Sequence, residues 1–114
     1  MPVVNVDGKV RVTYSGLVLN RTTNTFDTWA TITNISTDSV LLAPMSLVIT
    51  GITPSGVSLA NPTGTTADGK PFVAVSLPAA GLAPGESVTK ILLKFSNPTL
   101  VRFTFTSSVW AVDK

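Results

Sequence analysis

The chain has 114 residues, with 44% hydrophobic and 12% charged side chains and a net charge of +2. That length supports one domain with a modest core, taken here as residues 1–114; the composition excludes a disordered acidic or basic tail. With no Cys and no His, disulfides, thiol nucleophiles, Cys/His zinc sites and histidine general bases are excluded together.

Taken in chain order, the period-two signal recurs and no long helical periodicity competes with it. Val10, Val12 and Tyr14 alternate with polar residues, Ser15-Gly16 bends the chain, and Leu17–Leu19 resumes it. NRTTN is a polar turn, after which TFDTWATITNI places Phe26, Thr28, Ala30 and Ile32 on one face. Met45, Leu47 and Ile49 line a further strand, and Val57 and Leu59 a short one. NPTGTTADGK is a loop with Asp68-Gly69 as its turn pair, followed by Phe72, Val73 and Val75. Pro84-Gly85 sets a type II turn, because proline fixes φ and glycine accepts the positive φ of the next position. Thr89, Ile91, Leu93 and Phe95 then face the core, with Val88, Lys90, Leu92 and Lys94 on the other side, and Asn97-Pro98 stops the strand. A last strand carries Val101, Phe103, Phe105, Val109 and Ala111 inward. Residues 1–8 and 113–114 read as loose ends. The sum is seven or eight short strands, an all-β antiparallel sandwich of the immunoglobulin or fibronectin type, with a closed barrel as second choice.

Little in this pattern carries chemistry. The acids Asp7, Asp27, Asp38, Asp68, Glu86 and Asp113 never fall within four positions of one another, so no local calcium loop forms. Serines and threonines have no histidine to activate them, and no phosphate loop is present. The basic residues Lys9, Arg11, Arg21, Lys70, Lys90, Lys94, Arg102 and Lys114 are scattered, which is not the clustered footprint of a nucleic-acid binder. No apolar run approaches the roughly 18 residues of a membrane span, and MPVVNVDGK lacks a signal-peptide pattern. Asn20-Arg21-Thr22 and Asn34-Ile35-Ser36 match the glycosylation sequon but read as turn composition.

The aromatics separate by parity. Phe26, Phe103 and Phe105 fall inward, whereas Trp29 and Trp110 fall outward, each offering a large apolar face with one donor. Trp29 shares its face with Asp27, Thr31 and Thr33. For Trp110 three readings stand: cover by the stems of Lys90 or Lys94 on a neighbouring strand, a protein contact with Leu92 or Val48 nearby, or stacking on a sugar ring. Trp29, Trp110, Lys90, Leu92, Lys94 and Val48 are thus the candidate contact surface.

The succession SGLVLNRTTNTF, ATITNIS, APMSLVITGI, GVSLANPTGTTADGKPF, LAPGESVTKILLKFSNP and a closing aromatic strand resembles an immunoglobulin-like module of bacterial secreted and cell-surface proteins. Those modules typically read "N-R-x-T-x-x-F/Y", "V-T-N-x-S", "G-V-x-L-x-N-x-x-G", "L-x-P-G-x-S" and "F-x-N-P" in this order, and the match spans about residues 10–111. The resemblance implies a seven-stranded sandwich serving as spacer, stalk or accessory module, with no conserved active site and no functional residue to carry over. The expectation is a non-catalytic structural or interaction module without cofactor or metal, whose partners are protein neighbours or copies of itself. The place it implies is extracellular or at the cell surface, as part of a larger protein. The alternatives are a multicopy subunit, such as a virion decoration protein or filament subunit, placed in the virion if the chain is the complete gene product, and a carbohydrate-binding module.

Overall fold

Residues 25–34 show how the alternation works in three dimensions. Thr28, Ala30 and Ile32 are fully buried, Trp29 between them is exposed, and Phe26 packs against the core. The computed structural model describes residues 3–54, 56–98 and 100–113. They form ten strands: β1 (Val3–Asn5), β2 (Val10–Tyr14), β3 (Val18–Asn20), β4 (Thr25–Asn34), β5 (Leu41–Thr53), β6 (Ser58–Leu59), β7 (Gly64–Thr65), β8 (Pro71–Val75), β9 (Ser87–Ser96) and β10 (Thr104–Asp113). A 3-10 turn at Asp7–Lys9 lies between β1 and β2.

The strands make two antiparallel sheets. One runs β1-β10-β5-β8-β7; the other runs β2-β4-β9-β6, with β3 continuing beside β4 where β2 ends. The all-β sandwich of the sequence reading is therefore present. The count exceeds seven or eight because the N-terminal segment forms β1 and the loop before Asp68-Gly69 contributes the two-residue β7. The core between the sheets centres on Phe95, Leu93, Ile32, Leu47, Met45 and Val109. Burying each such side chain stabilises the fold by about 1.5–3 kcal/mol. An aromatic series closes one end: Phe95 lies 4.6 Å from Phe105 and 5.1 Å from Phe103, and Tyr14 meets Phe105 edge-on at 5.0 Å.

Several expectations are corrected. The N-terminal segment is not loose: Val3, Val4 and Asn5 pair with Val112, Ala111 and Trp110, and Val6 is buried. Asp113 belongs to β10 and forms an ion pair with Lys9; Met1, Pro2 and Lys114 lie outside the described residues. In β9 the alternation breaks. Lys90 takes φ 60°, and the register with β4 shifts from Ala30↔Ile91 to Ile32↔Val88. This bulge inserts one extra residue and reverses the parity before it. Thr89 is consequently exposed and Val88 packs against the core, the opposite of the strict period-two reading. Val101 precedes β10 and is exposed, although Phe103 is buried.

The turns behave as their residues dictate. Gly85 has φ 84° and the Glu86 N–H reaches the Ala83 carbonyl at 3.0 Å, as the Pro84-Gly85 turn requires. The Ala83 N–H donates to Glu86 Oε1 at 2.8 Å, so that carboxylate braces its own turn. Strand β9 stops at Ser96, just before Asn97-Pro98. The peptide bonds Ala43-Pro44 and Thr53-Pro54 are cis.

Candidate functional site: two tryptophan faces

Each sheet turns one exposed tryptophan outward, and the six candidate contact residues divide between the two faces. On the β2-β4-β9 sheet, Trp29 is 49% exposed and pairs across the ladder with Leu92. Asp27, two residues before it on the same face, pairs with Lys94. The bent edge at Ser15–Asn20 completes a shallow groove beside Trp29, where Val18 is 66% exposed.

The carboxylate of this face is already engaged. Lys94 Nζ donates to Asp27 Oδ2 at 3.0 Å, Asn20 Nδ2 donates to the same oxygen at 3.0 Å, and Thr25 Oγ1 donates to Oδ1 at 2.7 Å. Desolvation pushes the Asp27 carboxyl upward, but these hydrogen bonds and the Lys94 charge outweigh it and hold the group below its ordinary value. Ser15 Oγ accepts the backbone N–H of Trp29 at 2.9 Å and lies 3.2 Å from Thr28 Oγ1. Around this apolar centre stand Arg11, Arg21 and Lys90, all exposed. Four of the eight basic residues, counting Lys94, therefore share one face. Their scatter along the chain hides this, because β2, the β3–β4 turn and β9 contribute them separately.

Trp110 lies on the opposite sheet. The expectation that Lys90, Leu92 or Lys94 neighbours it fails, because the chain crosses the sandwich between β9 and β10 instead of making a hairpin. Its ladder partners are Asn5 and Ser46. It contributes to a cleft of about 530 Å³. Val48, expected as a contact residue, is only 4% exposed and forms part of the lining, outside the core cluster. Val3 and Trp110 come from β1 and β10, Ser46, Val48 and Thr50 from β5, and Phe72 from β8, next to the Thr66–Lys70 turn. Gly64 packs close to this lining: a Cβ there would sit 3.1 Å from the Phe72 ring, which would have to give by a few tenths of an ångström.

The Thr66–Lys70 turn is built as its sequence suggests. Gly69 has φ 84°, its N–H donates to the Thr66 carbonyl at 2.9 Å, and Thr66 Oγ1 donates to Asp68 Oδ1. The Thr66 hydrogen bond holds the Asp68 carboxyl below its ordinary range. Lys70 Nζ donates to the Thr50 carbonyl at 3.2 Å. Proline opens β8 at Pro71, and the β5–β8 ladder ends at Val48↔Phe72, so the lysine serves a backbone acceptor beyond the last ladder pair.

Neither sequon presents a free asparagine. Asn34 is completely buried, and Asn20 is held by Asp27 while accepting from the Thr22 N–H at 3.0 Å. Among the described residues no group of three or more acids gathers as a metal site, and no helix is long and apolar enough to cross a membrane. No protein-family model, curated protein or solved structure matches the chain.

Proposed function

We propose that this chain is a non-catalytic, immunoglobulin-like interaction module whose β2-β4-β9 face binds a protein neighbour in a bacterial surface or secreted assembly. The immunoglobulin-like reading is supported by the crossing of the chain: β4 pairs with β9 in one sheet while their successors β5 and β10 pair in the other, the Greek-key arrangement of such sandwiches. The bacterial and extracellular setting rests on the sequence resemblance.

The observation that carries the contact is the environment of Trp29. A half-exposed indole stands opposite Leu92 and beside Val18, and the nearby carboxylate already has its partners. Burying such a face leaves few polar groups unpaired, which favours a dry contact centred on an aromatic anchor. Arg11, Arg21 and Lys90 give it a basic rim, so the complementary partner has an apolar centre and an acidic border.

Lysine-directed crosslinking in the assembly of origin tests this. Crosslinks to other polypeptides should concentrate at Lys90 and Lys94 and drop about tenfold in Trp29→Ser, the loss of a hot-spot anchor. Crosslinks confined to Lys9 and Lys70, or unaffected by Trp29→Ser, would overturn the assignment. Sedimentation of the isolated protein over a concentration series then decides whether the neighbour is a second copy.

A further inference from the structure

The two tryptophan faces differ in one respect that points to different ligands. Beside Trp29 both oxygens of the Asp27 carboxylate are consumed internally, by Lys94, Asn20 and Thr25. Beside Trp110 the Asp68 carboxylate keeps one oxygen free. Among the described residues, Ser46 Oγ, Asp68 Oδ2 and the Trp110 indole N–H make no hydrogen bond within the chain, and Lys70 Nζ uses one of its three donors. These groups line a cleft of about 530 Å³ whose apolar lining includes Val3, Val48 and Phe72. That size lies within the range of small-ligand sites, which combine an apolar lining with a few convergent polar groups.

The chemistry of the lining selects the class. One carboxylate and one ammonium cancel, so the cleft favours neither an anion nor a cation. The free valences are both donors and acceptors, which suits a ligand bearing hydroxyls that can serve as either. The indole supplies a flat apolar surface. A molecule with an apolar ring face, peripheral hydroxyls and no net charge answers all three requirements. We infer that the Trp110 cleft is a binding site for a neutral sugar ring, with Trp110 as the stacking surface and Asp68, Lys70 and Ser46 as hydroxyl partners. This site lies on the sheet opposite Trp29 and stands independently of the protein-contact reading.

Calorimetric titration with cello-, xylo-, manno-, malto- and chito-hexaose tests it, with polygalacturonate as an anionic control. Fluorescence of Trp29→Phe, which leaves Trp110 as the only indole, reports the same event at the site. At least one neutral hexaose should bind saturably and shift the emission. Trp110→Ala should abolish that binding, and Asp68→Asn and Lys70→Met should each weaken it about tenfold, the loss of one hydrogen bond to a charged group. All three positions are at least partly exposed, and circular dichroism confirms that each variant folds. No binding by any neutral hexaose, binding that survives Trp110→Ala, or tighter binding of polygalacturonate would each overturn the proposal.

Discussion

Asn34 is the clearest case of one side chain holding distant chain segments together. Its amide donates to the carbonyls of Ser39 and Leu82, each at 2.8 Å, and its oxygen accepts from the Ser36 N–H at 3.0 Å and hydroxyl at 2.6 Å. Asn34→Ala would remove four hydrogen bonds of a buried side chain and leave the Ser36 N–H without its acceptor, and unfolding in urea should show a loss of about 3 kcal/mol. Nothing local in TNIS marks this role, because Leu82 lies 48 positions away. Sequence reading identifies turn-forming residues well, but it does not see which of them also serve a remote backbone. Asp27 makes a second prediction. Its folded carboxyl titrates below the ordinary value of 3.8, so the unfolded chain takes up that proton more readily. The stability it contributes is present above about pH 4 and is lost as pH falls through the folded value. Asp27→Asn should therefore lose less stability than the wild type on acidification below about pH 4, as measured by thermal melts at fixed ionic strength.

Among the elements, strands with unbroken alternation were legible and bulged ones were not. Residues 25–34 and 45–49 place the expected side chains in the core. The β9 bulge at Lys90 is invisible because lysine carries no signal for positive φ, a conformation that favours glycine. Lys90→Gly should relieve that strain and raise stability by about 0.5 kcal/mol, read from the urea midpoint. Gly81 is the converse. It adopts φ 87°, and a Cβ there would lie 2.6 Å from Leu42 Cδ2 and 2.7 Å from the Leu41 carbonyl. Backbone strain and overlap with a fixed carbonyl act together, so Gly81→Ala should cost about 2–4 kcal/mol in the same experiment. The sequence placed a turn in this region, but the contact with Leu41 comes from the Leu41↔Leu82 bridge, which no local pattern encodes.

For the whole molecule, layer architecture follows from composition and period, whereas strand order depends on where the chain crosses between layers. That distinction explains the fate of the candidate surface. Trp29, Leu92 and Lys94 share one face because β4 and β9 pair, while Trp110 and Val48 share the other because β10 and β5 pair. A hairpin between β9 and β10 was the simplest assumption for consecutive strands, and the crossing defeats it. The short ladder between β1 and β10 has a mechanical consequence. Val3 sits opposite Val112, so a polypeptide entering at Val3 and leaving at Asp113 does so from the same end. Tension between those points would separate the ladder one pair at a time, as a zip opens. By contrast, Thr53 and Asp113 lie at opposite ends of the β5–β10 ladder, so pulling them apart would shear all its bonds together. Single-molecule extension with handles at residues 3 and 113 should rupture at lower force than with handles at 53 and 113. Traction applied at residues 3 and 113 therefore meets the β1–β10 ladder in its weaker geometry, one pair at a time.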